Sequence, residues 1–98
     1  MTKLDKFQGV ATSVIRHTSG MIVGRYHNTS VAEVMGSNVR LDTGGYFTRT
    51  TKVRMNQFAN QFCGGAFSVY QKNFEWFVRV DGQEKPILFV GNVCEFDI

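Results

Sequence analysis

The stretch from Gly44 to Gln57 reads GGYFTRTTKVRMNQ and decides how this chain folds, because it contains the start of the most strongly predicted helix. Threonine hydroxyls accept hydrogen bonds from the free amides of a first helical turn, so Thr48 or Thr50 is expected to cap this helix. The glycine pair permits positive φ angles and a tight loop. We therefore predict a flexible loop leading into a helix that runs from Thr50 to about Phe62.

The predicted helix has a single apolar face. Its apolar side chains recur with the i, i+3, i+4, i+7 spacing of a buried stripe: Met55, Phe58, Ala59 and Phe62. Gly64 and Gly65 follow as a stop signal. A helix with one apolar stripe needs a second layer to cover it, and the rest of the chain must supply that layer.

Segments rich in β-branched and aromatic residues predict the second layer. They cover residues 21–26, 29–35, 39–41, 66–71, 74–80, 87–90 and 93–96. The predicted fold class is α+β, with a curved antiparallel sheet of about six strands and one main helix packed across it. Residues 1–98 are predicted to form one domain, and residues 1–19, which fit no single pattern, are assigned to an N-terminal arm.

Most aromatic residues are expected in the core of this domain. A hairpin is predicted around Lys72-Asn73, and the residues after it alternate between apolar and mixed positions. The core is expected to include Phe58, Phe62, Phe74, Trp76 and Phe89.

Positive charge is concentrated around the helix. The chain has a formal net charge of +3, and no Asp or Glu occurs from Thr43 through Phe74. The same stretch contains Arg49, Lys52, Arg54 and Lys72. This pattern favours an acidic partner such as nucleic acid, a nucleotide or an acidic protein surface, although a solvated helix exterior would have a similar pattern.

Two polar clusters are candidate ligand-binding sites. The first combines the glycine loop with the cations and amides of the helix: Gly44, Gly45, Tyr46, Arg49, Thr50, Thr51, Lys52, Arg54, Asn56 and Gln57. Helix amides and cations attract phosphate, and side-chain amides can read base edges. The second cluster contains Tyr26, His27, Asn28 and Thr29 at a strand corner, and any of the four could contact a ligand. Asn28 could equally be a simple turn residue, and sequence alone does not show whether the two clusters meet.

Other classes of site are not predicted. His27 is the candidate general base of an enzymatic alternative, but no nucleophile–base–acid motif accompanies it, so we expect a protein without catalytic residues. Cys63, Cys94 and the two histidines lack the paired spacing of a metal site, and no cofactor is expected. The polar N-terminus and the absence of a long apolar run predict a cytoplasmic protein with reduced cysteines and no membrane span.

The chain resembles a family of small tailed-phage proteins. The similarity covers roughly residues 26–80, in the string YHNT, in Leu41 with the pattern GGYxTxTTKxRMNQ, where x is any residue, and in the string VYQKNFEWFV. In that family the residue after the glycine pair is often Trp, whereas Tyr46 keeps an aromatic ring here. The resemblance implies a phage-encoded protein that acts in the cytoplasm of an infected bacterium, and it carries no activity with it.

These observations lead to one main functional hypothesis and two non-enzymatic alternatives, in addition to the enzymatic alternative centred on His27. The main hypothesis is a non-enzymatic module that binds a phosphate-bearing ligand, above all nucleic acid, through the loop and helix. The alternatives are an inhibitor of a host defence or transcription protein and an anti-defence protein that sequesters a small nucleotide. A homo-oligomer is compatible with each of them.

Overall fold

The computed structural model describes residues 6–98 as an α+β fold, in agreement with the predicted fold class. One helix, α1, spans Arg49–Phe62. The strands are β1 (Thr12–Arg16), β2 (Ile22–Tyr26), β3 (Thr29–Met35), β4 (Asn38–Asp42), β5 (Phe67–Lys72), β6 (Glu75–Val80), β7 (Ile87–Leu88) and β8 (Val93–Asp97).

The strands form two antiparallel sheets. The larger sheet has the order β1-β2-β3-β4-β8, and the smaller has the order β5-β6-β7. After α1 the chain builds the smaller sheet and then returns to the first, where β8 pairs with β4 through Val39 opposite Phe96. The rings of Phe67 and Phe96 lie 5.1 Å apart and join the two sheets.

The predicted N-terminal arm contributes a strand. Thr12–Arg16 pairs with β2, with Val14 opposite Gly24. Most β1 side chains are exposed, and Val14 and Ile15 are each 37% exposed. The strand therefore lacks the alternation of buried and exposed residues by which a strand is predicted from sequence. Its backbone pairing with β2 defines it instead. The first five residues of the arm lie outside the described residues.

Helix α1 begins and ends close to its predicted limits. The Thr48 hydroxyl caps it by accepting a hydrogen bond from the Thr51 amide at 3.2 Å. At the other end, the amides of Cys63 and Gly65 donate to the Ala59 carbonyl at 3.0 and 2.9 Å. Gly64 and Gly65 take positive φ angles there, as the predicted stop signal requires.

The apolar stripe of α1 enters the core as predicted. Met55 and Phe58 are completely buried and share one hydrophobic cluster with Trp76 and Val78 of β6. Helix α1 contacts β2, β3 and β5. A Cβ atom at Gly24 would lie 2.8 Å from Phe58 Cδ2, so the absence of a side chain in β2 lets the Phe58 ring lie against the sheet.

The prediction of Phe74 as a core residue is wrong. Lys72 pairs with Glu75, which leaves Asn73 and Phe74 as the two central residues of the β5–β6 turn. Their φ angles are +52° and +66°, and the Phe74 side chain is 95% exposed. The turn begins one residue later than predicted, so the apolar alternation starts at Trp76.

Candidate functional site

The first wall of the site is the corner between β2 and β3. Tyr26 pairs with Thr29, so His27 and Asn28 form a two-residue turn in which His27 has a φ of +55°. The His27 amide donates to the Ala11 carbonyl at 2.8 Å, which ties the corner to the beginning of β1. The ring centroids of Tyr26 and His27 are 4.4 Å apart, so both rings lie at one place on the surface.

The second wall is the turn that follows β4. The Tyr46 amide donates to the Thr43 carbonyl at 3.0 Å, with Gly44 and Gly45 between them at φ angles of +63° and +89°. Both central positions therefore favour glycine. The Gly44 amide also donates to the Asp42 carboxylate at 2.8 Å. This turn places the Tyr46 ring at the surface, where it is 65% exposed.

The two predicted clusters meet. A Cβ atom at Gly44 would lie 2.5 Å from the Thr29 hydroxyl oxygen, so the glycine turn lies directly against the start of β3. Between the corner, the turn and the beginning of α1 lies a cavity of about 490 Å³, which we call the threonine cavity. Its lining residues are Tyr26, His27, Asn28, Thr29, Val31, Thr43, Tyr46, Thr48 and Thr51.

The lining of the threonine cavity combines aromatic rings with hydrogen-bonding groups. Four threonines line it; the Thr48 and Thr51 hydroxyl oxygens are 3.0 Å apart, and the Thr43 hydroxyl accepts from the Gly45 amide at 3.1 Å. None of the lining residues is acidic. The cavity also lies at the start of α1, where backbone amides carry a partial positive charge. This arrangement suits a ligand with a planar ring and an anionic group.

The cations of α1 do not form one continuous face. The Lys52 ammonium donates to the Gln71 side chain at 3.1 Å and lies 5.4 Å from the centre of the Trp76 ring. The Arg54 guanidinium lies on another side of the helix, 5.7 Å from the centre of the Tyr26 ring. In residues 6–98 the ion pairs are confined to Arg40 with two neighbouring acids, so none of the helix cations is neutralised by a carboxylate there.

The side-chain amides of α1 have partners within the chain. Asn56 donates to the Val69 carbonyl at 3.0 Å and accepts from the Val69 amide at 2.7 Å, which satisfies the free edge of β5. Gln57 is 3% exposed and accepts from Arg54 at 3.1 Å. Gln61 accepts from the Phe7 amide at 2.8 Å and holds the N-terminal segment. These amides therefore connect parts of the fold.

The predicted site residues fall into three groups. Those that line the threonine cavity are Tyr26, His27, Asn28, Thr29, Tyr46 and Thr51, while Gly44 and Gly45 shape its wall. Arg49 and Thr50 are exposed in the first turn of α1, between the lining residues Thr48 and Thr51 in the sequence. Lys52, Arg54, Asn56 and Gln57 point to other surroundings, as described above.

Sequence reasoning left Val31, Thr43 and Thr48 out of the candidate ligand-binding residues, although all three line the cavity. Val31 could have been predicted from its spacing to Thr29, because residues two apart on a strand lie on the same face. Thr43 and Thr48 flank the glycine turn, and the closure of that turn brings them together.

Both cysteines are free thiols. Burial raises the pKa of each thiol from its ordinary value of 9.0 to about 11. A raised pKa keeps the thiol protonated and weakly nucleophilic near neutral pH. Cys63 and Cys94 therefore have the properties of structural residues.

Neither a metal centre nor a membrane span is found in the described part of the chain. Residues 6–98 contain no group of three or more histidine, cysteine or acidic side chains placed to hold a metal ion. The helix over residues 49–62 is not long and apolar enough to cross a membrane.

The fold and the threonine cavity together define a small α+β protein with a candidate ligand site at the start of its helix. Comparison with protein families then identifies its relatives: the model of the Kyanoviridae Gp96 protein family matches residues 1–95. The chain belongs to this family of phage proteins, which confirms the resemblance to phage proteins. Neither the curated proteins nor the solved structures compared with the chain give a match.

Proposed function

We propose that this phage protein binds a nucleotide, free or as one unit of a nucleic acid, in the threonine cavity and does so without catalysis. The observation that carries this proposal is the cavity itself, where two tyrosines and a histidine meet the start of α1. In this arrangement the base contacts the rings of Tyr26 and Tyr46. The phosphate lies at the first turn of the helix beside Arg49.

The size and chemistry of the cavity support a ligand of this class. Its volume of about 490 Å³ falls within the range of small-molecule sites. Stacking of a base on an aromatic ring contributes about 1–3 kcal/mol, and every base has a π face, so two tyrosines bind bases without strong preference. The first amides of a helix attract phosphate, and Arg49 adds a full charge next to them.

The distribution of charge favours one nucleotide unit over a long duplex. A duplex-binding surface needs several cations in register with successive phosphates. Here Lys52 and Arg54 lie on different sides of α1, and the amides proposed from sequence to read base edges are engaged within the fold. The proposed ligand site is therefore the threonine cavity, and not the exposed helix face that was predicted from the sequence.

Binding titrations test this proposal. The protein should bind at least one of the common 5′ ribonucleoside monophosphates, and Tyr46→Ala should weaken binding roughly tenfold through loss of stacking. Phe47→Ala, which removes an adjacent exposed ring outside the cavity lining, is the matched control and should change affinity little. Absence of binding to every nucleotide and to oligonucleotides at low salt would refute the proposal.

The absence of catalysis is part of the proposal and has its own test. His27 lines the cavity, but the proposal gives it the task of contacting the ligand together with Tyr26. Nucleotides and nucleic acids incubated with the protein should therefore be recovered unchanged. A product that forms with the parent protein and fails to form with His27→Ala would make the protein an enzyme.

A second candidate function is inhibition of a host protein, and an exposed apolar patch favours it. The patch contains Phe47, Phe74 and Leu88, which line one shallow pocket and have exposed fractions of 47%, 95% and 45%. Phe74 has a positive φ angle although its ring is almost fully exposed, so this strained conformation brings little burial within the chain. Exposed aromatic residues of this kind are common anchors at protein interfaces.

Co-purification from infected bacteria separates the two candidates. A host partner bound through the apolar patch should be lost with Phe74→Ser and kept with Tyr46→Ala. A nucleotide bound in the threonine cavity should show the reverse dependence. Both outcomes are consistent with action in the cytoplasm of the infected host.

A further inference from the structure

A second cavity contains an arginine that the first site does not use. It has a volume of about 390 Å³ and is lined by Gln8, Gly9, Val53, Arg54 and Gln57. Its lining contains one cation and no acid. We call it the Arg54 cavity.

The Arg54 guanidinium is held in place and remains unneutralised. It donates to the Gln57 side chain at 3.1 Å and lies against the backbone of Gly9, where any side chain would overlap with it. Its Nε atom is buried and has no hydrogen-bond partner in the described residues. Burying a donor without an acceptor costs free energy. Because the Nε atom has almost no accessible surface, an anion in this cavity would bind the terminal nitrogens of the guanidinium.

One cation–aromatic pair connects the two cavities. Tyr26 lines the threonine cavity, Arg54 lines the Arg54 cavity, and the guanidinium carbon lies 5.7 Å from the centre of the Tyr26 ring. A ligand unit that contacts Tyr26 therefore has the next cation immediately beside it. Guanidinium groups bind phosphate through paired, charge-assisted hydrogen bonds.

We infer that the ligand contains at least two nucleotides joined by a phosphodiester, with one unit in the threonine cavity and a second phosphate at Arg54. This inference rests on the proposed nucleotide site. The same chemistry is present in a free dinucleotide and in a single strand of nucleic acid. A mononucleotide would fill only the first cavity.

Calorimetric titrations with matched ligands test the inference. The probes are the tightest-binding ribonucleoside monophosphate, the dinucleotide of the same base with a 5′ phosphate, and a longer oligonucleotide of that base. The dinucleotide should bind about tenfold more tightly than the mononucleotide. Equal affinities of dinucleotide and oligonucleotide would identify a free dinucleotide as sufficient, whereas a further increase would identify a strand.

Two variants attribute the gain to the Arg54 cavity. Arg54→Met keeps a long side chain against Tyr26 without the charge, and Gln8→Glu places a competing carboxylate in the cavity lining. Both should reduce the ratio of dinucleotide to mononucleotide affinity to near one. Gln83→Glu makes the same charge change at an exposed position outside the described cavities and should leave the ratio unchanged.

The outcomes of these titrations distinguish a failure of the second phosphate site at Arg54 from a failure of the proposed nucleotide site. Mononucleotide binding with no gain for the dinucleotide, or a gain that survives both Arg54→Met and Gln8→Glu, overturns the inference and leaves the threonine cavity as a mononucleotide site. Failure of all the nucleotide probes to bind overturns both.

Discussion

Gly44 shows how one residue joins the two halves of the candidate site. Its positive φ closes the turn after β4, and its missing side chain allows that turn to lie against Thr29. Gly45 shares the positive φ, but a Cβ atom there would meet nothing within 4 Å. Substitutions at these two glycines therefore separate two effects on stability: the cost of a positive φ angle, and the loss of the close approach to Thr29.

Gly44→Ala should be more destabilising than Gly45→Ala. Each substitution forces an L residue into the left-handed region at a cost of about 1–2 kcal/mol, and only Gly44→Ala also displaces Thr29 from the cavity wall. Urea denaturation measures both free energies of unfolding, and nucleotide titration should show the larger affinity loss for Gly44→Ala. Equal losses would contradict the proposed contact between the clusters.

Asn56 belongs to the fold according to its hydrogen bonds, and this assignment can be tested. Asn56→Ala removes two bonds to the Val69 backbone and should lower the free energy of unfolding by about 1–3 kcal/mol. Asn56→Asp keeps the acceptor but places a carboxylate oxygen against the Val69 carbonyl oxygen, so its cost should be at least as large. Ligand affinity of the folded variants should be nearly unchanged. A loss of ligand affinity with unchanged stability would show that Asn56 contacts the ligand.

At the scale of elements, α1 connects the two sheets with three different surfaces. Its apolar stripe enters the shared core, its Asn56 side pairs with the edge of β5, and its first turn lines the threonine cavity. The apolar stripe could be predicted because its spacing is a property of the helix alone. The polar contacts could not be predicted. An asparagine or glutamine looks the same in the sequence whether its side chain faces water or the edge of a strand.

Phe58→Ala should cost about 3–5 kcal/mol, because the ring is fully buried between α1 and β2. Phe74→Ser is the matched control on another phenylalanine, since its ring is 95% exposed, and it should change stability by about 0.5 kcal/mol or less. Thermal melting followed by circular dichroism compares them. A parent-like melt for Phe58→Ala would show that the buried face of α1 is assigned wrongly.

At the scale of the whole molecule, the fold class could be predicted and the division into two sheets could not. The helix limits and most strands follow from local patterns, as in Thr48–Phe62 and in Trp76, Val78 and Val80. Which strands pair depends on contacts between distant residues, such as those of β4 with β8. For the site, the residue types could be predicted, whereas their meeting at Gly44 and Thr29 required the three-dimensional structure.

The buried thiols predict how stability responds to alkaline pH. Folding raises the pKa of both thiols from 9.0 to about 11, so the protonated form is favoured in the folded state. Unfolding permits ionisation above the unfolded pKa, and stability should therefore fall as the pH rises from about 9 to about 11.

Denaturant titrations at a series of alkaline pH values measure this loss. In a Cys63→Ala/Cys94→Ala double variant, the free energy of unfolding should change less over the same pH range than it does in the parent protein. Near neutral pH, alkylation of the native protein should be slow, and both thiols should react after denaturation. Rapid alkylation of the native protein would show that the thiols are not protected.

Nuclear magnetic resonance mapping of the bound nucleotide tests the central claim most directly. The backbone amide resonances of ¹⁵N-labelled protein are followed while the tightest-binding nucleotide is added. The largest shifts should occur in residues 26–31 and 43–51, with little change at Phe74 and Leu88. Shifts confined to the surface around Phe74 and Leu88, or no shifts at saturating nucleotide, would contradict a nucleotide site in the threonine cavity.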